Sequence, residues 1–212
     1  MRLELPCQVT PTLLGQAILR IRALKLGGRL VAISDSDISS ALSAYIARYP
    51  DDAVSLSEPL RLLAEGASFA SRRNFSMHVT VGALLVCGTD VLLVDHLAYG
   101  IPLQPGGHLE ATDSTLISAA VRELVEETGV DPSGLFPASE VPVYVEYGKV
   151  PARPAKDEPE HFHLDFGYSF VTARAEMGRI QKSEVRSAAW YPLSTAQRLV
   201  GRRIARAVTT PA

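Results

Sequence analysis

The chain reads as an α/β sandwich built on a mixed β-sheet, with a helical N-terminal extension. Two apolar, β-rich runs, His78–Cys87 (HVTVGALLVC) and 91–96 (VLLVDH), are split by Gly88-Thr89-Asp90, the pattern of a hairpin. Downstream, Ile117, Ala120, Val121, Leu124 and Val125 recur at helical spacing, which marks one long amphipathic helix. Before residue 70 the apolar periodicity is helical and not alternating.

Taken in order, Thr10-Pro11 opens a helix over 10–27, stopped by Gly27-Gly28, and 30–33 is a short extended piece. Asp35 or Ser36 caps a second helix carrying Ile38, Leu42, Tyr45 and Ile46, ended near Pro50; a third covers 57–66. The hairpin follows, then a short strand at 101–104. Asp113 caps the long helix over 114–128, and Gly129 terminates it. Strands are expected at 141–147, 161–172 and 188–191, and Ser194 or Thr195 opens a final helix. The proline-rich, charged stretch 151–160 reads as a mobile loop. The chain divides into the helical extension at 1–70 and the main domain at 71–212.

At 212 residues the chain fits one large domain or a domain with an appendage. Its net charge of −2 comes from interspersed acids and bases, so no nucleic-acid partner is expected. No apolar run approaches the ~20 residues of a membrane span, and 13–21 is too interrupted for a signal peptide. A soluble, reduced, cytoplasmic protein follows. The two cysteines, Cys7 and Cys87, lie in no CxxC pair, so neither a zinc site nor a disulfide is expected; Cys87 reads as a small buried hydrophobe.

The chemistry concentrates at 106–130, GGHLEATDSTLISAAVRELVEETGV. At about 100° per residue, Glu123, Glu126 and Glu127 share an arc of roughly 100°, apart from the apolar stripe. Taken alone they could be a solvated acidic face relieved by Arg122. The preceding Pro105-Gly106-Gly107 changes the balance, because glycines let backbone approach a phosphate or a metal closely. Hard-oxygen ligands beside such a loop suit Mg²⁺ holding a phosphate chain.

This segment resembles the Nudix box, G-x5-E-x7-R-E-U-x-E-E-x-G-U, where U is a bulky aliphatic residue. Arg122-Glu123-Leu124-Val125-Glu126-Glu127-Thr128-Gly129-Val130 matches every defined position, and Gly107 is the first glycine. Between the two halves the loop carries one extra residue: Asp113 follows Gly107 at the spacing of the first acid, but eight residues, not seven, separate it from Arg122. The likeness covers 70–208 well and 35–70 loosely. It implies a Nudix-type α/β/α sandwich. It also implies that Gly107, Glu123, Glu126 and Glu127 hold Mg²⁺, with Mn²⁺ as a substitute, that Glu123 or Glu184 serves as general base, and that Arg122 orients the carboxylates. Glu110 is a weaker ligand candidate. Glu184 is either a further ligand or base, or a solvated loop acid.

His161 and His163 alternate on an expected strand and so face one side. With Asp165 they either hold a transition metal or line a substrate cleft. Arg72, Arg73 and His78 either grip a phosphate or base or are solvated. The residues read as substrate-binding are Arg73, His78, His161 and His163. Arg198, Arg202, Arg203 and Arg206 read as a solvated helix face.

Three functions follow from the resemblance. The first is a metal-dependent pyrophosphohydrolase that uses water to cleave a nucleoside diphosphate linked to a group X. The second is a non-catalytic nucleotide-binding sensor. The third is an isoprenoid diphosphate isomerase, which needs an acid/base pair typically including a cysteine. The partner is a small nucleotide-like diphosphate. The apolar face of 10–27 packs on the main domain or on a second subunit, the latter making a homodimer.

Overall fold

A computed structural model describes residues 32–206. The helix expected over 10–27, the dimer surface placed on it and half of the extended piece at 30–33 lie outside the described residues. Helix α1 (Asp35–Arg48) begins one or two residues earlier than expected. Ser34 is its cap, in a reciprocal box with Asp37. Asp35 is thereby free to accept three backbone N–H groups, from Ala67, Ser68 and Phe69 at 2.8–2.9 Å. Those bonds tie the end of α2 (Ser57–Glu65) to the start of α1.

Eight strands form one sheet among the described residues. They are β1 (His78–Cys87), β2 (Asp90–His96), β3 (Ile101–Leu103), β4 (Gly106–His108), β5 (Phe136–Pro137), β6 (Tyr144–Val150), β7 (His161–Val171) and β8 (Val185–Pro192). The path runs β3-β2-β1-β7-β5, with β4, β6 and β8 added to β1, β7 and β2. β1 and β7 are parallel over nine residue pairs and the other pairings are antiparallel, so the sheet is mixed. The expected hairpin forms, with Cys87 opposite Asp90.

Alternation along β1 sets two layers. Val79, Val81, Ala83 and Leu85 face a core shared with Phe166 and Phe170 of β7 and with Ala119, Ala120 and Leu124 of helix α3 (Leu116–Thr128). Leu84 and Val86 face a smaller core with Ala196 of helix α4 (Leu193–Val200) and Ile204. Each fully buried large apolar side chain contributes roughly 1.5–3 kcal/mol. Ile38, Leu42, Tyr45, Leu56 and Leu63 of the N-terminal helices sit in the first of these cores. The extension is thus packed into the sandwich and shares its interior.

Two expectations are corrected. The stretch 151–160 is not a loose loop: it contains a short 3-10 turn at Pro154–Lys156, Arg153 and Glu158 bond each other's backbone, and Glu158 pairs with Arg72 at 3.0 Å. Of the terminal arginines, Arg198 is exposed as expected, but Arg203 and Arg206 are not solvated. Arg203 bonds Glu146 and lies over the Tyr144 ring, and Arg206 bonds Asp52 and Tyr45. These two close a pocket of about 460 Å³ between α1, β6 and the C-terminal turn. Cys87 is buried, the place expected of a small hydrophobe.

Candidate active site

The stretch read as a glycine-rich loop is a strand. Gly106, Gly107 and His108 pair with Gly82, Val81 and Thr80 of β1. Their demand for glycine is one of space. A Cβ on Gly107 would stand 2.6 Å from the nearer carboxylate oxygen of Glu123, and one on Gly106 would strike the Val81 carbonyl. The helix carrying the acids is thereby seated directly against the strand.

Helix α3 starts at Leu116, with Thr115 as cap and Ser118 completing the reciprocal box at 3.0 Å in both directions. Asp113 was expected in that role. It instead turns inward, 5% exposed, accepting the Glu110 N–H at 2.7 Å and two N–H groups of Arg122. The helix ends at Gly129, whose φ of +65° and close packing on Arg179 leave no room for a side chain.

Arg122 uses all five of its N–H donors on five acceptors. Nε and Nη2 reach the two oxygens of Asp113 at 3.1 and 3.0 Å. Nη2 also reaches the His108 carbonyl at 2.8 Å. Nη1 bonds Glu123 at 3.0 Å and Glu126 at 3.1 Å. Burial disfavours the guanidinium charge, yet Asp113 and Glu123 hold its pKa above the ordinary value. One planar group thus fixes the loop acid, the strand and two helix acids together.

Glu127, 1% exposed, accepts the Gly106 N–H at 3.2 Å. Burial pushes its pKa up to about 8 against that hydrogen bond, and Glu123, Glu184 and Glu126 add to the rise. Glu123, 8% exposed, is pushed up to about 7, again by burial, with Arg122 opposing and Glu126 and Glu184 adding. Glu126 is exposed at the rim. The segment bearing Glu184 is brought to this point by the Gln181 N–H, which donates to the Glu127 carbonyl at 3.3 Å. Buried carboxylates that repel one another and meet glycine backbone fit a hard divalent cation, which would stabilise their charged forms.

The remaining expected residues lie elsewhere. His78, His161 and His163 do meet, and His108 joins them. Asp165 does not join them; it is held by Thr80 and Tyr144, each donating at 2.9 Å. Arg73 is exposed on the loop before β1. Sequence reasoning gave no part to His108. The available signal was that His108 follows Gly107 directly, so any strand pairing there sends its side chain to the face opposite the helix.

A short capped helix bearing buried acids, seated on a Gly-Gly strand of a mixed-sheet sandwich, defines the Nudix class of domain. Residues 76–210 match the family model described as the NUDIX domain, and the chain belongs to the Nudix family. A stretch of 58 residues is 48% identical to phosphatase NudJ of Escherichia coli strain K12 and, equally, of Shigella flexneri, covering 26% of this chain. That stretch spans 37% of the length of those curated relatives. Among solved structures, a NUDIX family hydrolase from Clostridium perfringens is 23% identical with a TM-score of 0.48, over 63% of this chain and 95% of that one. A NUDIX hydrolase from Nitrosomonas europaea is 26% identical with a TM-score of 0.43, over 57% and 76%.

Proposed function

We propose that the protein is a divalent-metal-dependent pyrophosphohydrolase acting on a nucleoside diphosphate linked to a further group X. The observation that carries this reading is the pair Glu123 and Glu127, buried against Gly106 and Gly107 with their ionisation opposed by burial. A binder of neutral ligands has no use for such an arrangement. Glu123, Glu126, Glu127 and the Gly107 carbonyl would hold Mg²⁺ or Mn²⁺. The metal supplies charge neutralisation of the phosphate chain and activation of a water.

The chain's own residues divide the remaining work. Arg122 keeps Glu123 and Glu126 aimed at one point. Glu123, seated directly beside Gly107, is the first candidate for general base. Glu184, exposed and electrostatically felt by both buried acids, is the second candidate for that role. Arg73, exposed on the loop before β1, stays a candidate for substrate binding, whereas His78, His161 and His163 lie on the sheet face opposite α3. The division near residue 70 separates the catalytic domain from helices that complete its core.

The isomerase reading lacks an accessible thiol, because Cys87 is buried at the end of β1. Among the described residues no helix is long and apolar enough to cross a membrane. A cytoplasmic location belongs to our reading. The reading is tested with a panel of nucleoside diphosphate derivatives and Mg²⁺, with the products resolved. Cleavage within the phosphoanhydride is expected. Tight binding of one nucleotide without turnover in Mg²⁺ or Mn²⁺ would instead establish a sensor.

A further inference from the structure

Four of the chain's five histidines meet at one place in the sheet, on the face turned away from α3. His78 opens β1 and stands opposite His163 of β7. His108 ends β4 opposite Thr80, one step along the same face. Ring centroids are 4.5 Å apart for His78 and His163, 5.1 Å for His78 and His108, and 5.5 Å for His108 and His163. One ring nitrogen from each of the three lies within 4.8 Å of the others.

The hydrogen bonds around the cluster turn lone pairs inward. His78 Nδ1 is 3.1 Å from the Asn74 carbonyl, which can only accept, so Nδ1 carries the proton and Nε2 the lone pair. His78 is 2% exposed, and its Nε2 is buried with no hydrogen-bond partner among the described residues. Such an orphaned acceptor is unfavourable in a folded interior. His161 repeats the pattern. Its Nδ1 donates to the Pro159 carbonyl at 2.7 Å, and its Nε2 lies 3.0 Å from His163 Nε2. Metal-binding histidines are commonly oriented in this way, by one ring N–H donated to a carbonyl.

We propose that His78, His108 and His163 form a binding site for a divalent transition metal of the zinc class, separate from the carboxylate site, with a fourth position beside His161. Imidazole nitrogens suit such a metal, whereas the carboxylate site suits a hard cation. Tetrahedral coordination with metal–nitrogen bonds of about 2.0 Å puts the nitrogens about 3.3 Å apart. Small side-chain rotations bring the 4.8 Å cluster to that spacing. The site has a structural consequence. His108 follows Gly107, and its carbonyl takes an Arg122 N–H, so a metal on its ring anchors β4 from the face opposite α3.

The test uses full-length protein stripped with a chelator and then loaded with Zn²⁺ or Co²⁺ in excess Mg²⁺, which saturates the carboxylates. We expect close to one tightly held equivalent of Zn²⁺, and a visible absorption band of tetrahedral Co²⁺ that Zn²⁺ displaces. Affinity should fall by more than about 10-fold in His163→Gln and His108→Gln, the smaller end of what disturbing such a site costs. The Glu123→Gln/Glu127→Gln double variant should keep the band. Absence of a retained equivalent and of the band in the wild-type protein overturns the proposal, as does a band lost in the glutamate variant and kept in His163→Gln. The wild-type measurement decides the matter even where a histidine variant fails to fold. It does not depend on hydrolysis, so this site and the proposed activity stand or fall separately.

Discussion

Asp113 and Arg122 form a two-point ion pair across the loop that precedes α3, with Nε to Oδ1 at 3.1 Å and Nη2 to Oδ2 at 3.0 Å. The pair explains how a loop one residue longer than the family pattern is tolerated. The shorter aspartate, turned inward, still reaches the guanidinium, while Thr115 takes over the cap. Asp113→Ala would leave two Arg122 donors unpaired in a mostly buried setting. Breaking such a pair costs about 3–5 kcal/mol. Denaturant unfolding should show that loss in Asp113→Ala and a smaller one in Asp113→Asn, which keeps one acceptor. Wild-type stability in Asp113→Ala would show that the pair does not hold the loop.

Gly107→Ala should separate binding from folding. The new Cβ meets the end of the Glu123 side chain, which can swing away, so the sandwich is expected to form. The displaced carboxylate then leaves its place beside the strand. Metal affinity by titration calorimetry should drop roughly 10- to 100-fold with an unchanged circular dichroism spectrum. Unaltered affinity would mean that Glu123 is not a ligand in this position.

The raised pKa values give a signed pH dependence. Glu127 and Glu123 titrate at about 8 and about 7 in the fold, against 4.5 ordinarily. Between 4.5 and 8 the folded state therefore binds more protons than the unfolded one, and metal-free stability falls as pH rises through that window. Below 4.5 both states are protonated and these groups contribute no slope. A bound divalent cation should flatten the dependence, and its affinity should climb from pH 6 to 8 as it displaces the protons. Thermal melts with and without Mg²⁺ at several pH values check both. A metal-free melting temperature that rises over pH 5–8 would contradict the assignment, once the same scan in Glu123→Gln/Glu127→Gln is subtracted.

Gly167→Ala tests the other face. A Cβ there would enter the ring of Tyr144, which is buried and hydrogen-bonded to Asp165 and Gln104. Overpacking of this kind costs about 1–3 kcal/mol or more. The shift in urea midpoint should be accompanied by a change in Tyr144 fluorescence or chemical shift. A silent substitution would show that the ring has room to move.

Local pattern carried much of this in the sequence. The run RELVEETG and the stripe from Ile117 to Val125 mark the helix and its acids, and Cys87 and Asp90 flank a turn whose partners are adjacent in the chain. What stayed hidden depended on distant contacts. Gly106, Gly107 and His108 have no strand propensity, and only the β1 register makes them a strand. Asp113 is as good a cap as Thr115 by composition, but Arg122 claims it from nine residues away. The stretch 151–160 has the composition of a loop, yet Arg72 holds it from the far side of β1. Arg203 and Arg206 look solvated because Glu146 and Asp52 are 57 and 154 residues distant.

The central claim is that buried acids on α3 hold a metal for phosphoanhydride cleavage. Its most direct test is Mg²⁺-dependent turnover by Glu127→Gln, compared with wild type on the best substrate of the panel. The side chain keeps its shape and can retain a bond to the Gly106 N–H, so the fold should persist. We expect turnover to fall by roughly 10²–10⁴-fold with an unchanged melting temperature or a higher one at pH 8, where the buried charge has been removed. Hydrolysis at the wild-type rate by folded Glu127→Gln would contradict the account.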